Sequence, residues 1–164
     1  MEPGPESLYF VDWLWDYLSP LGFRGFQLSF SVGWVRFWTL EPPKGLGESR
    51  SIFLEIPTGR PADALMDVYT SLEETLGVDG RMPSRDIVEP VDGLLQHVCS
   101  LAVLLGGSGQ PTFQLDFNCF PKVGGPKVCL DFGGHRIVSD RQELWIALLE
   151  VLEEARSALE KPPH

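Results

Sequence analysis

The apolar positions along this chain change their period several times, and each change predicts an element. Between Ser7 and about Leu18 they stand almost all round a helix: Tyr9, Phe10, Trp13, Trp15 and Tyr17. Asp12 and Asp16, at i and i+4, form its one polar stripe. A helix apolar on so many sides is either deeply buried or docked on a partner. Ser7 is placed to cap it, and Pro20 and Gly22 to end it. Strict alternation follows: Phe26, Leu28, Phe30 and Val32 point one way, and Gln27, Ser29 and Ser31 the other, which predicts a half-buried strand. Gly33 interrupts the run, residues 34–40 make a second strand, and the two read as a hairpin.

Residues 42–49 are a Pro/Gly loop. Residues 51–56 predict a third strand, with Ile52, Leu54 and Ile56 on one face. Pro61 suits the first turn of a second helix, in which Leu65, Val68, Tyr69, Leu72 and Leu76 recur at helical spacing before Gly77 stops it. Residues 78–88 read as an irregular loop. Pro90 opens a third helix through Leu105, with Val98, Leu101, Ala102 and Leu105 facing the core and Gly106 and Gly107 ending it. Two strands follow over 112–120 and 127–132, joined by the turn 121–126. Ser139 and Gln142 form a capping-box pattern that predicts the start of the last helix at Ser139; Leu144, Trp145, Leu148, Leu149, Leu152 and Ala155 make its apolar face. Residues 161–164 are a frayed tail.

The expected order is α-β-β-β-α-α-β-β-α. Hairpins dominate and βαβ units are absent, so the class is α+β: a mainly antiparallel sheet of about five strands with helices packed on it. The 164 residues fit a single domain that needs no staples. Hydrophobic residues make up 43% of the chain, enough for a core of its own.

Charge narrows the partners. The formal net charge is -10, which disfavours nucleic acid and anionic membrane surfaces, because both are bound through Lys and Arg. It suits solubility, or steering toward a basic protein partner. Cys99, Cys119 and Cys129 form no dense framework, and the start Met1-Glu2-Pro3-Gly4 is not a signal peptide, so a reducing, cytoplasmic setting is expected. The longest apolar run, 98–105, is too short to span a bilayer.

The spacings that carry chemistry are missing. His97 and Cys99 would point about 200° apart on a helix, so they do not chelate together, and no zinc pattern is present. No cofactor or metal is expected. Cys119 and Cys129 flank a turn, but aligning the apolar sets of their strands puts Cys119 inward and Cys129 outward, beside Asn118 or Asp131. Gly106-Gly-Ser-Gly109 has the wrong spacing for a nucleophile elbow, and Asp131-Phe-Gly133 reads as a strand ending in a turn. An enzyme would have to use an unmarked site such as Cys129, His135 and Asp131.

Recognition is better marked. Trp34, Arg36 and Trp38 alternate onto one face of the second strand, opposite Gln27, Ser29 and Ser31. Tryptophan and arginine are the types enriched at binding hot spots, and they stack as cation–π pairs. The competing expectation is that the first helix covers this face. Asp86, Glu89 and Asp92 lie in a stretch, 86–120, that has no Lys or Arg. They either favour the N-terminus of the third helix or receive a basic partner. Asp12 and Asp16 are further acidic candidates. The expected function is a non-enzymatic acidic module that binds a protein partner; the alternatives are the unmarked enzyme and a subunit of a homo-oligomer, a homodimer included. In acidity and element order the chain resembles small proteins that neutralise or escort another protein, namely toxin-immunity proteins and type III secretion chaperones, although the helix near 90–105 departs from the chaperone pattern.

Overall fold

Alternation in the strands gives a six-stranded sheet, every neighbouring pair antiparallel. The computed structural model describes residues 4–21, 23, 25–39, 52–57, 60–76, 85–106, 113–119, 127–132, 135–141 and 143–160. The strands are β1 (Phe26–Ser31), β2 (Trp34–Thr39), β3 (Ile52–Pro57), β4 (Gln114–Cys119), β5 (Val128–Phe132) and β6 (His135–Ser139). Their order across the sheet is β3-β2-β1-β4-β5-β6. The helices are α1 (Tyr9–Leu18), α2 (Pro61–Leu76), the single turn α3 (Arg85–Val88), α4 (Pro90–Gly106) and α5 (Leu144–Glu160). The expected α+β class holds, with one strand and one helical turn more than the sequence pattern suggested.

The inward strand positions are apolar and fully buried on the central strands: Phe26, Leu28 and Phe30 of β1, Val35 and Phe37 of β2, and Leu115 and Phe117 of β4. They join residues of α1, α2, α4 and α5 in one core cluster. Phe10 of α1 meets Phe30 and Phe117 edge-on, with centroids 6.0 and 6.3 Å apart, a favoured geometry for aromatic rings. The first helix therefore lies on the core face of the sheet. It does not cover the face of Trp34, Arg36 and Trp38. Trp13 stacks on Tyr17 at 5.2 Å and meets Tyr69 of α2, whose hydroxyl donates to the Phe10 carbonyl at 3.4 Å. The inward hydroxyl of Thr39, at the end of β2, donates to the Gly25 carbonyl, so its burial leaves no donor stranded.

The structure corrects several boundaries. β1 stops at Ser31, and Val32, expected in the core, is 53% exposed in a two-residue turn with Gly33. That turn needs a backbone φ of +94° at position 33, which glycine adopts without a Cβ clash. Ser7 is buried in a 3-10 turn, Pro5–Leu8, and makes no side-chain cap on α1. Ser139 ends β6 instead of opening α5, and α5 begins at Leu144. The Ser139 hydroxyl donates to Glu150 Oε2 at 2.7 Å, so it serves the middle of that helix and not its first turn. The sixth strand arises because His135, Ile137 and Ser139 alternate inward with outward Arg136 and Val138, and β-branched residues favour the pleated surface. Arg85–Val88 is a helical turn where an irregular loop was expected. The expected loops 42–49 and 121–126 and the tail 161–164 lie outside the described residues.

Arg85–Leu104 is long and apolar enough, by composition alone, to cross a bilayer. In the fold its Val91, Leu94, Val98 and Leu101 pack into the core.

Candidate functional site: the outer face of the sheet

Every second residue of a strand turns away from the core, and here those residues meet no helix among the described residues. The strand pairings align them in three rows across the sheet. One row runs Pro57, Trp34, Ser31, Gln114, Asp131, Arg136; the next runs Glu55, Arg36, Ser29, Asp116, Cys129, Val138. A third joins Phe53, Trp38, Gln27 and Asn118. Cross-strand partners in such rows stand roughly 5 Å apart, so each row acts as a connected strip.

The bulk sits on β2 and β3. The Arg36 guanidinium lies over the Trp34 ring, 3.8 Å from its centroid, and donates to Glu55 Oε1 at 3.3 Å. Its Nε is buried with no hydrogen-bond partner. Phe53 is 59% exposed, which is a large apolar side chain left in water. The centre is small and polar: Gln27 donates to Ser29 at 3.4 Å, and the Gln114 amide donates to both Asp116 carboxylate oxygens at 3.0 and 3.2 Å. Gln27, Ser29, Arg36, Trp38, Phe53 and Gln114 line a concavity of about 400 Å³. At the far edge Arg136 and the half-exposed Val138 close the face.

No family model, curated protein or solved structure matches this chain. The face must therefore be interpreted from its own chemistry.

The other candidates lie elsewhere. Asp12 and Asp16 are exposed on α1, in the helical layer behind the sheet; burial first and Asp16 second push the Asp12 carboxyl up. Asp86, Glu89 and Asp92 fall at α3 and the start of α4. Asp92 accepts from Arg60 at 2.9 Å and from the Ala62 backbone N–H at 2.8 Å, which places it on the N-terminus of α2 as well as in the first turn of α4. Glu89 is 3.7 Å from Arg85, which also bonds Asp63 and holds that carboxyl below its usual range. The stretch without Lys or Arg is thus met by Arg60 and Arg85 from just outside it. The structure gathers Trp34, Arg36 and Trp38 into one strip and leaves the two acidic groups apart from it.

The unmarked enzyme site does not assemble. Cys129 and Asp131 point outward, whereas His135 shares the inward parity of Ile137 and Ser139. A nucleophile and its base need hydrogen-bond contact, which opposite faces of one sheet deny. Burial also pushes the Cys129 thiol up, Arg136 only partly opposing it. Cys119 faces inward and Cys129 outward, as the apolar alignment indicated, with Asp116 and not Asn118 opposite Cys129. Among the described residues no group of three or more His, Cys, Asp or Glu converges to hold a metal ion.

Sequence reasoning missed Phe53, Asp116, Arg136 and Val138. Phe53 was within reach, because placing Ile52, Leu54 and Ile56 inward sends Phe53 and Glu55 outward. Arg136 and Val138 required the sixth strand.

Proposed function

We propose that this protein is a non-enzymatic protein-binding module whose contact surface is the outer face of the sheet. The observation that carries the proposal is the Trp34–Arg36–Trp38 strip with Phe53, standing uncovered opposite a sheet face already filled by helices. Aromatic and arginine side chains supply the most binding free energy per residue at protein interfaces, and a stacked, preorganised arginine loses little further entropy on docking. The acidic net charge adds long-range attraction for a basic partner. Neutralising or escorting such a partner in the cytoplasm, in the manner of immunity proteins or secretion chaperones, is the role this combination fits best.

A photo-crosslinking amino acid placed at Phe53 in living cells tests the surface, with the same probe at Asp67 of α2 as the control. Protein adducts from position 53 and not from position 67, weakened by Trp38→Ala, are expected. A probe at Phe53 that yields no protein adduct sinks the proposal.

A further inference from the structure

The outer face has a symmetry of its own. Its charges fall as two oppositely ordered pairs: Arg36 on β2 beside Glu55 on the β3 edge, and Asp131 on β5 beside Arg136 on the β6 edge. Its two large exposed apolar side chains also sit at opposite edges, Phe53 on β3 and Val138 on β6. Consider a second copy laid face to face, related by a two-fold axis that runs along the strands between β1 and β4. That operation sets β2 over the other copy's β5, and β3 over its β6. Arg36 then approaches Asp131, Glu55 approaches Arg136, and the Phe53 edge meets the Val138 edge. Every contact occurs twice, as an isologous interface requires.

We infer that the first occupant of this face is a second copy of the chain, in a two-fold dimer packed sheet to sheet. The inference rests on the reading of the outer face as a protein-docking surface, and names its partner.

Area and charge both allow it. Six strands spaced ~4.8 Å and five or six residues long at ~3.3 Å each present a flat face of roughly 500 Å². Two such faces reach about 1,000 Å², the lower limit for a specific interface, before side-chain relief is added. The net charge of -10 does not forbid it, because the acidity lies behind the sheet. α1 carries Asp12 and Asp16, and α2 carries Asp63, Asp67, Glu73 and Glu74, with no Lys or Arg in either helix. The strands balance Arg36 and Arg136 against Glu55, Asp116 and Asp131. In the dimer the acidic layers point away from each other. Each lies at least one helix diameter, about 10 Å, behind the contact, so their separation exceeds the ~8 Å screening length of physiological salt.

The decisive measurement is sedimentation velocity over a concentration series with a charge swap. Wild type is expected to dimerise. Arg36→Asp and Asp131→Arg, each alone, set like charges together at both contacts and are expected to weaken the dimer by about tenfold or more. An equimolar mixture of the two variants re-forms both opposite-charge contacts in a heterodimer, and recovery of the dimer in that mixture is the expected signature. Circular dichroism and urea unfolding of each variant confirm the fold. A wild type that stays monomeric into the submillimolar range, or single variants that dimerise as tightly as wild type, overturns the inference. A mixture that fails to recover while both variants remain folded does so too. Failure of the dimer leaves the docking surface standing if the probe at Phe53 captures a different protein; a silent probe removes both.

Discussion

Asp92→Ala is the substitution whose cost is best defined by geometry. Helix α2 starts at Pro61, and the residue before it is Arg60, whose carbonyl accepts the first helical bond from Ala64 at 3.1 Å. An arginine side chain has no acceptor with which to cap the orphan N–H groups of the first turn. Asp92 supplies one from α4: Oδ1 takes the Ala62 N–H and Oδ2 takes Arg60. Losing the cap costs about 1 kcal/mol. The ion pair adds roughly 0.5 kcal/mol, discounted because the Arg60 side chain is 57% exposed against 23% for Asp92. A negative charge at helix N-termini contributes a further ~0.5 kcal/mol. Asp92→Ala should therefore lose about 2 kcal/mol in urea unfolding followed by tryptophan fluorescence. Asp92→Asn keeps an acceptor and should lose only about 1 kcal/mol, since asparagine caps as well as aspartate. Added salt should shrink the wild-type-to-Asn difference and leave the Asn-to-Ala difference nearly unchanged. Equal losses for Asn and Ala, or an Ala loss below about 0.5 kcal/mol, would refute a capping role.

Two further outcomes follow from buried or bonded titratable groups. Burial pushes the Cys119 thiol up to about 12 and raises that of Cys129 as well, so native protein near pH 8 should react with a thiol reagent at Cys119 about a hundredfold or more slowly than urea-unfolded protein; rapid native labelling of all three cysteines would contradict this. Ser139 and Arg141 hydrogen bonds hold the Glu150 carboxyl below its usual value of 4.5. A depressed folded value means that the contribution is complete above the unfolded value and is lost as pH falls through the folded one. Glu150→Gln should thus lower the urea midpoint at neutral pH and converge with wild type near about pH 3, and a gap of the same size at both pH values would show that charge is not involved.

Elements of strong periodicity were legible in the sequence. The alternation in 26–31 and 34–39 and the helical spacing in 61–76 are dictated by one buried face each, and the structure keeps them. What was not legible has physical causes. β6 is five residues long with only Ile137 and Ser139 turned inward from exposed His135, too short a pattern to outweigh a capping-box match at Ser139 and Gln142. The hydroxyl in that match was claimed by Glu150, a partner eleven residues away that no local rule includes. Asp92 was read against its own helix, but it also caps a helix thirty residues earlier in the chain. For the site, Trp34, Arg36 and Trp38 could be placed on one strip by parity alone. Whether anything covered that strip was a tertiary question, settled by the contact of Phe10 with Phe30 and Phe117 on the opposite side.

That placement also bears on why so aromatic a surface is compatible with solubility. An exposed face with Trp34, Trp38 and Phe53 invites indiscriminate sticking unless something limits it. Two features do. The centre of the face is hydroxyl, amide and carboxylate: Ser29, Gln114 and Asp116 are tied by hydrogen bonds and keep the apolar groups from merging into one patch. The acidic α1 and α2 give every copy the same sign of long-range field, so only an approach that turns those helices outward avoids repulsion. Face-to-face docking is that approach. The acidity that seemed at first a property of the whole chain thus acts as an orientational filter: it excludes helix-to-sheet contacts between copies, while leaving the outward helical layer able to attract a basic protein to an already paired molecule.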